Sequence, residues 1–435
     1  MKKLIFSIQL LLVSILAVSQ ETVYPAKAQT ETITITNATI HVGNGTVITN
    51  GFVTFENGKI KAVGQNNPPA GGKVIDAKGK HVYPGLILSV SQLGLVEVNS
   101  VRATVDHTEL GLYNPNIRSI VAYNSDSKVI GTLRSNGVLF ANVVPQGATI
   151  SGSSTVVQLD AWNWEDATYK ADGQIHMNMP RLLPRPSRFA AFLGQAESRS
   201  TADQVKEALN RVEEIKQFFH QAKAYHKEAT HAKTNLKFEA TKGLFDKKQK
   251  LFVHCDIVKE MLVAIDFAKE FGFEVVIVGG SESWQIADLL KQNNIAVILA
   301  ERHALPTMTD DDVDLPYKSA TYLQDAGVLY AINDGDGQTR GRNLPFNAGT
   351  AAGYGITKEQ ALSSITLNAA KILGIDNITG SIEVGKDANI VISEGDILDM
   401  KSSIVTHAFI QGRQVSLDDK HKQLNERYKY KYGIK

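Results

Sequence analysis

The sequence predicts an α/β fold: a (β/α)8 TIM-type barrel carrying a small composite β-sandwich built from the two ends of the chain. Three observations predict it. Strand-like text with period-two alternation opens shortly after residue 30 and returns near the C-terminus. Between these ends, apolar β-branched runs alternate with stretches of helical periodicity, the pattern of parallel strands covered by helices. The intervening stretch of about 290 residues is close to the usual length of an eightfold strand–helix barrel.

Residues 1–28 read as a secretory signal, with Lys2 and Lys3 before the apolar Leu4 to Val18 and small residues after it. Cleavage is expected after Ser19, with Ala17 at −3, or after Ala28, with Ala26 at −3. The protein is therefore expected to be secreted or periplasmic. The apolar stretch is too short to span a bilayer comfortably, and no other run of about 18 apolar residues follows, so no membrane association is expected after removal.

Residues 29–82 form the N-terminal part of the sandwich. Thr32-Ile33-Thr34-Ile35-Thr36 alternates with period two, and Phe52-Val53-Thr54-Phe55 leads into Glu56-Asn57-Gly58-Lys59, a hairpin signal, before Ile60-Lys61-Ala62-Val63 returns. Such short strands need a partner sheet. Residues 376–435 offer one in Asn389-Ile390-Val391-Ile392 and Thr406 to Ile410, followed by the turn and return strand Gln411 to Val415.

The barrel is expected over residues 83–375. Its clearest unit runs from Leu251-Phe252-Val253-His254 through the amphipathic Ile257 to Phe271 and reaches Glu274-Val275-Val276-Ile277-Val278. Upstream, a helix from Ala202 to about Thr234 places Val205, Leu209, Val212, Ile215, Phe219 and Ala222 on one face. His220, His226 and His231 on this stretch lack the i, i+4 spacing of a helical metal site and read as solvated.

Lys and Arg number 46 against 45 Asp and Glu, a net charge of +1, which argues against nucleic acid or an anionic membrane as partner and for a small molecule or another protein. Cys255 is the only cysteine, so an internal disulfide and a Cys-rich metal site are excluded. It follows a strand and reads as a small buried hydrophobe.

The chain resembles the amidohydrolase superfamily, in its imidazolonepropionase-like exported branch. The resemblance begins at Gly79-Lys80-His81-Val82-Tyr83-Pro84-Gly85-Leu86-Ile87 and returns at Ile365 to Gly374 and Gly380 to Asn389. It implies hydrolysis of a non-peptide C–N bond, an amide or cyclic amide of a small molecule, at a divalent metal, typically zinc. The metal activates a bound water and an Asp on the last strand takes its proton. The ligand pattern after Gly85 departs from the family's: Val90 and Gln92 occupy the places of two histidines, and Val cannot coordinate a metal. By the same resemblance His254 matches the fifth-strand histidine ligand. The next strand ends in Gly279-Gly280 where another histidine is usual, and Asp334 falls on the aspartate that serves as catalytic base and ligand.

Other strand ends add candidates. His303, in Glu301-Arg302-His303-Ala304, is placed to approach the barrel mouth. The loop Gly335 to Arg342 carries Arg340 and Arg342, which are suited to clamp a substrate carboxylate in bidentate fashion. Ala161 to Asp166, with Trp162, Trp164, Glu165 and Asp166, reads as loop packing, because adjacent carboxylates on an extended chain point to opposite faces. Two functions stay open: a C–N hydrolase with Asp334 as base and His254 as ligand, or a non-catalytic barrel that binds a small molecule, forms a homo-oligomer, or pairs with an intact amidohydrolase.

Overall fold

The computed structural model describes residues 24–183, 200–306, 310–334 and 339–434. Most of the expected signal segment, residues 1–23, and Gly335 to Gln338 of the Gly-rich loop lie outside them. Among the described residues no helix is long and apolar enough to cross a membrane.

The two chain ends share one eight-stranded sheet. From the N-terminal side come β1 (Ile33–His41), β2 (Val47–Glu56), β3 (Lys59–Gly64), β4 (Lys73–Asp76) and β5 (His81–Pro84). From the other end come β14 (Ile390–Ser393), β15 (Val405–Ile410) and β16 (Arg413–Gln414), in the order β16-β15-β14-β5-β1-β2-β3 with β4 alongside β1. The β2–β3 turn is made by Asn57 and Gly58, both at positive φ (51° and 76°), the conformation that makes Asn-Gly a hairpin signal. The sheet curls until its ends meet: Phe55 packs edge-on to Phe409 at 5.1 Å, and Ile60 N donates to Lys386 O at 2.9 Å. Ile35, Val53, Phe55, Ile390 and Phe409 fill the enclosed core.

The second sheet is the barrel. It runs in chain order through β6 (Leu86–Ser91), β7 (Val138–Val143), β8 (Ile150–Gln158), β9 (Thr168–Asn178), β10 (Lys250–Cys255), β11 (Val275–Gly279), β12 (Ala296–Leu299) and β13 (Tyr330–Ile332). Gly85 joins the two sheets; a Cβ there would sit 2.7 Å from Leu139, so only glycine lets β6 enter beside β7.

The expectation of uniformly parallel strands needs one correction: β8 is antiparallel to both neighbours. Residues 144–149 are too few for a crossover helix, so the chain can only turn back on itself there. Closure between the last and first strands is made by a side chain. The Asn333 amide accepts from Val90 N at 3.0 Å and donates to Val90 O at 2.9 Å, standing in for a backbone ladder.

The long helix spans Thr201–Lys227, shorter than expected, and buries Ala208, Val212, Ile215, Phe219 and Ala222. Leu209 is turned out and 48% exposed, because the stripe follows 208, 212, 215, 219 and 222, and position 209 lies about 100° around the helix from 208.

Candidate functional site at the barrel mouth

The C-terminal ends of the parallel strands surround a cleft of about 480 Å³. Val90, Asn178, His254, Gly279, Leu299 and Asn333 bring the ends of β6, β9, β10, β11, β12 and β13 to it, and Asp256 and Glu301 add carboxylates at its rim.

His254 is half-buried at the end of β10, and its ring is engaged from below. His254 Nε2 lies 2.9 Å from His176 Nδ1 on β9, and His176 Nε2 lies 2.8 Å from Ser154 Oγ on β8. Ser154 is 2.8 Å from Gln174 Oε1, and Gln174 Nε2 donates to Leu373 O at 3.1 Å. The direction of this relay follows from its far end. The Gln174 amide nitrogen faces a carbonyl, so its oxygen accepts the Ser154 hydroxyl proton, and Ser154 in turn accepts from His176 Nε2–H. His176 Nδ1 then carries a lone pair and accepts from His254 Nε2–H, which leaves His254 Nδ1 as a hydrogen-bond acceptor. Neutral rings fit this chain. Burial pushes His254 down to about 4, and burial together with the neighbouring His254 holds His176 well below the usual imidazole range.

Asp334 belongs to a second network. It is 1% exposed; Oδ2 accepts from Asn347 Nδ2 at 2.9 Å, and the Arg340 guanidinium stands 3.5 Å from Oδ1 and 3.7 Å from Glu301. The Asn347 side-chain oxygen accepts from the backbone N–H groups of Arg302 (2.6 Å) and His303 (3.2 Å), so one amide fastens the loop after β12 to the aspartate after β13. Arg302 is buried beneath, donating to Ala300 O and Pro316 O, and burial pushes its guanidinium down to about 10.

His303 is exposed, with Nε2 2.7 Å from Thr350 Oγ1; burial and then Arg340 lower its pKa. Arg342 points elsewhere: Nη1 lies 3.4 Å from His421 Nε2 on the final helix, Lys420–Tyr432. The structure thus brings Asp334, Arg340 and His303 together through Asn347 and Glu301, sets His254 against His176, and turns Arg342 away from the mouth. Cys255 is buried and its thiol is pushed up well above the usual range.

Among the described residues no three His, Cys, Asp or Glu side chains converge as metal ligands do. His254 Nε2 is committed to His176, and a guanidinium faces Asp334 where a cation would need access. Among the described residues, His254 Nε2 and Asp334 thus both face protein partners.

His176, Ser154, Gln174, Asn333 and Asn347 were not singled out in the sequence. For two of them a signal exists: Gln174-Ile175-His176-Met177-Asn178 alternates polar and apolar residues in a strand, which places Gln174 and His176 on one face with Asn178.

The fold and the mouth define the class: an α/β barrel with a composite β-domain and its candidate site at the strand ends. Residues 335–415 match the model of the Amidohydrolase family. An imidazolonepropionase of Picrophilus torridus is 30% identical over 176 residues, covering 38% of this chain and 42% of the relative. One of Porphyromonas gingivalis is 29% identical over 171 residues, 35% of this chain and 38% of the relative. The chain thus spans about two fifths of the length of these curated relatives. The crystal structure of an amidohydrolase from Thermotoga maritima MSB8 superposes with a TM-score of 0.71 at 27% identity, over 88% of this chain and 99% of that one. The chain belongs to the amidohydrolase superfamily, on its imidazolonepropionase-like side.

Proposed function

We propose that this is an exported amidohydrolase-family protein whose barrel mouth takes a small amide or cyclic-amide compound, the substrate class of C–N hydrolysis, and holds it without the family's metal centre. The observation that carries the reading is the engagement of His254 Nε2 by His176 at 2.9 Å. A ring oriented by such a bond presents Nδ1 as an acceptor for a ligand N–H, whereas metal binding through Nε2 requires breaking the relay. Val90 supports the same reading, with an apolar side chain lining the cleft and its backbone tied to Asn333.

The purified mature protein tests it by metal analysis and by calorimetric titration with a panel of N-acyl amino acids and cyclic amides. Substoichiometric zinc, manganese and iron, with saturable binding that His254→Ala weakens, is the expected result. Near-stoichiometric metal that disappears in His254→Ala and Asp334→Ala would overturn it. A second reading, metal-assisted C–N hydrolysis with Asp334 as base, is favoured by the imidazolonepropionase relatives; turnover of any panel member that is abolished by chelation would establish it.

A further inference from the structure

The mouth presents two hydrogen-bond acceptors whose orientation is fixed from behind. Asn178 on β9 and His254 on β10 are register partners in adjacent parallel strands, so their side chains stand side by side on one face. Asn178 Nδ2 donates to Ala148 O at 2.6 Å and to Ser151 Oγ at 3.1 Å. A carbonyl can only accept, so the amide nitrogen is held toward β8 and both of its protons are engaged, which leaves Asn178 Oδ1 over. Beside it, His254 commits Nε2–H to His176 Nδ1 and keeps Nδ1 as an acceptor. Among the described residues neither Asn178 Oδ1 nor His254 Nδ1 meets a protein donor, and neither is sealed in the interior, so both open on the cleft.

The charges around these two atoms have the same polarity. Three carboxylates, Asp256, Glu260 and Glu301, and one guanidinium, Arg181, line the cleft. Glu260 is occupied, with Oε1 accepting from Leu182 N at 3.2 Å and Oε2 from Asp256 N at 3.4 Å, and Glu301 stands 3.7 Å from the Arg340 guanidinium. Arg302, buried beneath, feels the field of Glu301 and Asp256 while its own donors go to Ala300 O, Pro316 O and Ser319. Asp256 is the carboxylate left open: it is exposed, and no hydrogen bond or ion pair ties its side chain to the described residues. It lies over the end of β11, where a Cβ on Gly279 would sit 2.6 Å from Asp256 Oδ1. Val90, Met179, Val278, Ile298 and Leu299 make the rest of the wall apolar.

We propose that the mouth takes a small organic cation with a planar, donor-rich head, an amidinium or guanidinium on an apolar body, which gives one N–H to Asn178 Oδ1, one to His254 Nδ1 and sets its charge beside Asp256. A carboxylate has only acceptors to offer and would meet acceptors there. The proposal rests on the mouth being a binding site and narrows its ligands to compounds that carry such a head. It also reverses the expected carboxylate clamp, since Arg342 is turned away and Arg340 answers to Asp334 and Glu301.

Calorimetric titration of the mature protein at neutral pH with benzamidine, its uncharged relative benzamide, and benzoate tests the proposal. Saturable benzamidine binding is expected, with benzamide roughly tenfold weaker and benzoate weaker still. Asp256→Asn, a change at an exposed side chain, is expected to bring benzamidine down roughly tenfold, to the level of benzamide, and to leave benzamide unchanged. Asn178→Ala is expected to weaken both compounds; if it fails to fold, Asp256→Asn decides. Arg181→Gln is expected to leave benzamidine binding in place. The proposal is overturned by benzamide or benzoate binding as tightly as benzamidine, or by undiminished benzamidine binding in Asp256→Asn. Should cyclic amides then still saturate the protein in a His254-dependent manner, the mouth stands as a binding site and only the cationic head is refuted; if no compound saturates, both fall.

Discussion

Replacing His254 by Gln removes a titratable ring and keeps a donor for His176 Nδ1, so the variant isolates the proton linkage of one residue. The imidazole titrates near 6.5 in an unfolded chain and is pushed down to about 4 by burial in the folded one. Between these values the unfolded chain binds a proton that the folded chain refuses. The stabilisation from keeping the ring neutral is fully present above the unfolded value and is lost as pH falls toward the folded one. For a single site with these two values the loss is about 0.2 kcal/mol at pH 7 and about 2 kcal/mol at pH 5, a difference of about 1.8 kcal/mol. The carboxylates titrate in both proteins and cancel in the comparison, as does the larger part of the His176 shift, which comes from its own burial; the smaller part due to His254 is lost with the ring. Equilibrium urea unfolding of wild type and His254→Gln at the two pH values is the assay, with wild type expected to lose about 1.8 kcal/mol more than the variant. Parallel losses, within about 0.5 kcal/mol, would mean that His254 is not held neutral by its surroundings, and the assigned relay would fall with it.

The remaining predictions concern the scaffold around the site. Asn347→Ala leaves the Arg302 and His303 N–H groups and an Asp334 oxygen without their amide, and should cost about 3 kcal/mol or more in urea unfolding. Gly152→Ala places a Cβ 2.5 Å from Ile117 O at a φ of +131°, and should lower stability by about 2–4 kcal/mol; a neutral result would contradict the backbone described for β8. Cys255, buried and with its thiol pushed up, should resist iodoacetamide in the native protein at pH 8 and be fully labelled in urea.

The elements legible in the sequence are those whose signal is local. Period-two alternation and an Asn-Gly turn sufficed for β1 to β3, and apolar β-branched runs followed by helical periodicity sufficed for β10 and β11. His254 ends such a run and Asp334 follows one, but it was the resemblance to the amidohydrolases that singled the two residues out. The reversal of β8 was not legible. Its text, Ile150-Ser151-Gly152-Ser153-Ser154-Thr155, carries small polar residues where a barrel strand usually shows Val, Ile or Leu, and direction is set by a connection too short for a crossover. The relay was invisible for a different reason: Ser154, Gln174, His176, His254 and Leu373 are scattered over more than 200 positions, and only closure of the barrel brings them together. Nor could the spacing of Arg340 and Arg342 show that they diverge, since each answers to a partner distant in sequence or fold, Asp334 for one and His421 for the other.

The reversed strand also explains the long connection between β6 and the helix Lys128–Arg134. A parallel strand would bring its own crossover helix to cover the outer face of the barrel; β8 brings none, yet every one of its residues is buried. Residues of the connection pack there through two main-chain bonds to β8 and one side-chain bond to β7: Asn114 N donates to Ile150 O at 2.8 Å, Ser153 N donates to Ile117 O at 2.8 Å, and Ser119 Oγ donates to Val143 O at 2.7 Å. Arg118 pins the far side, with Nε 2.7 Å from Asp172 Oδ2 beyond β8. The polar text Asn114-Pro115-Asn116 and Arg118 is thus accounted for by the need to pair backbone groups over a strand that has no helix of its own. Gly152 belongs to the same device, because only a residue without a Cβ lets Ile117 O come close enough for the loop to seat.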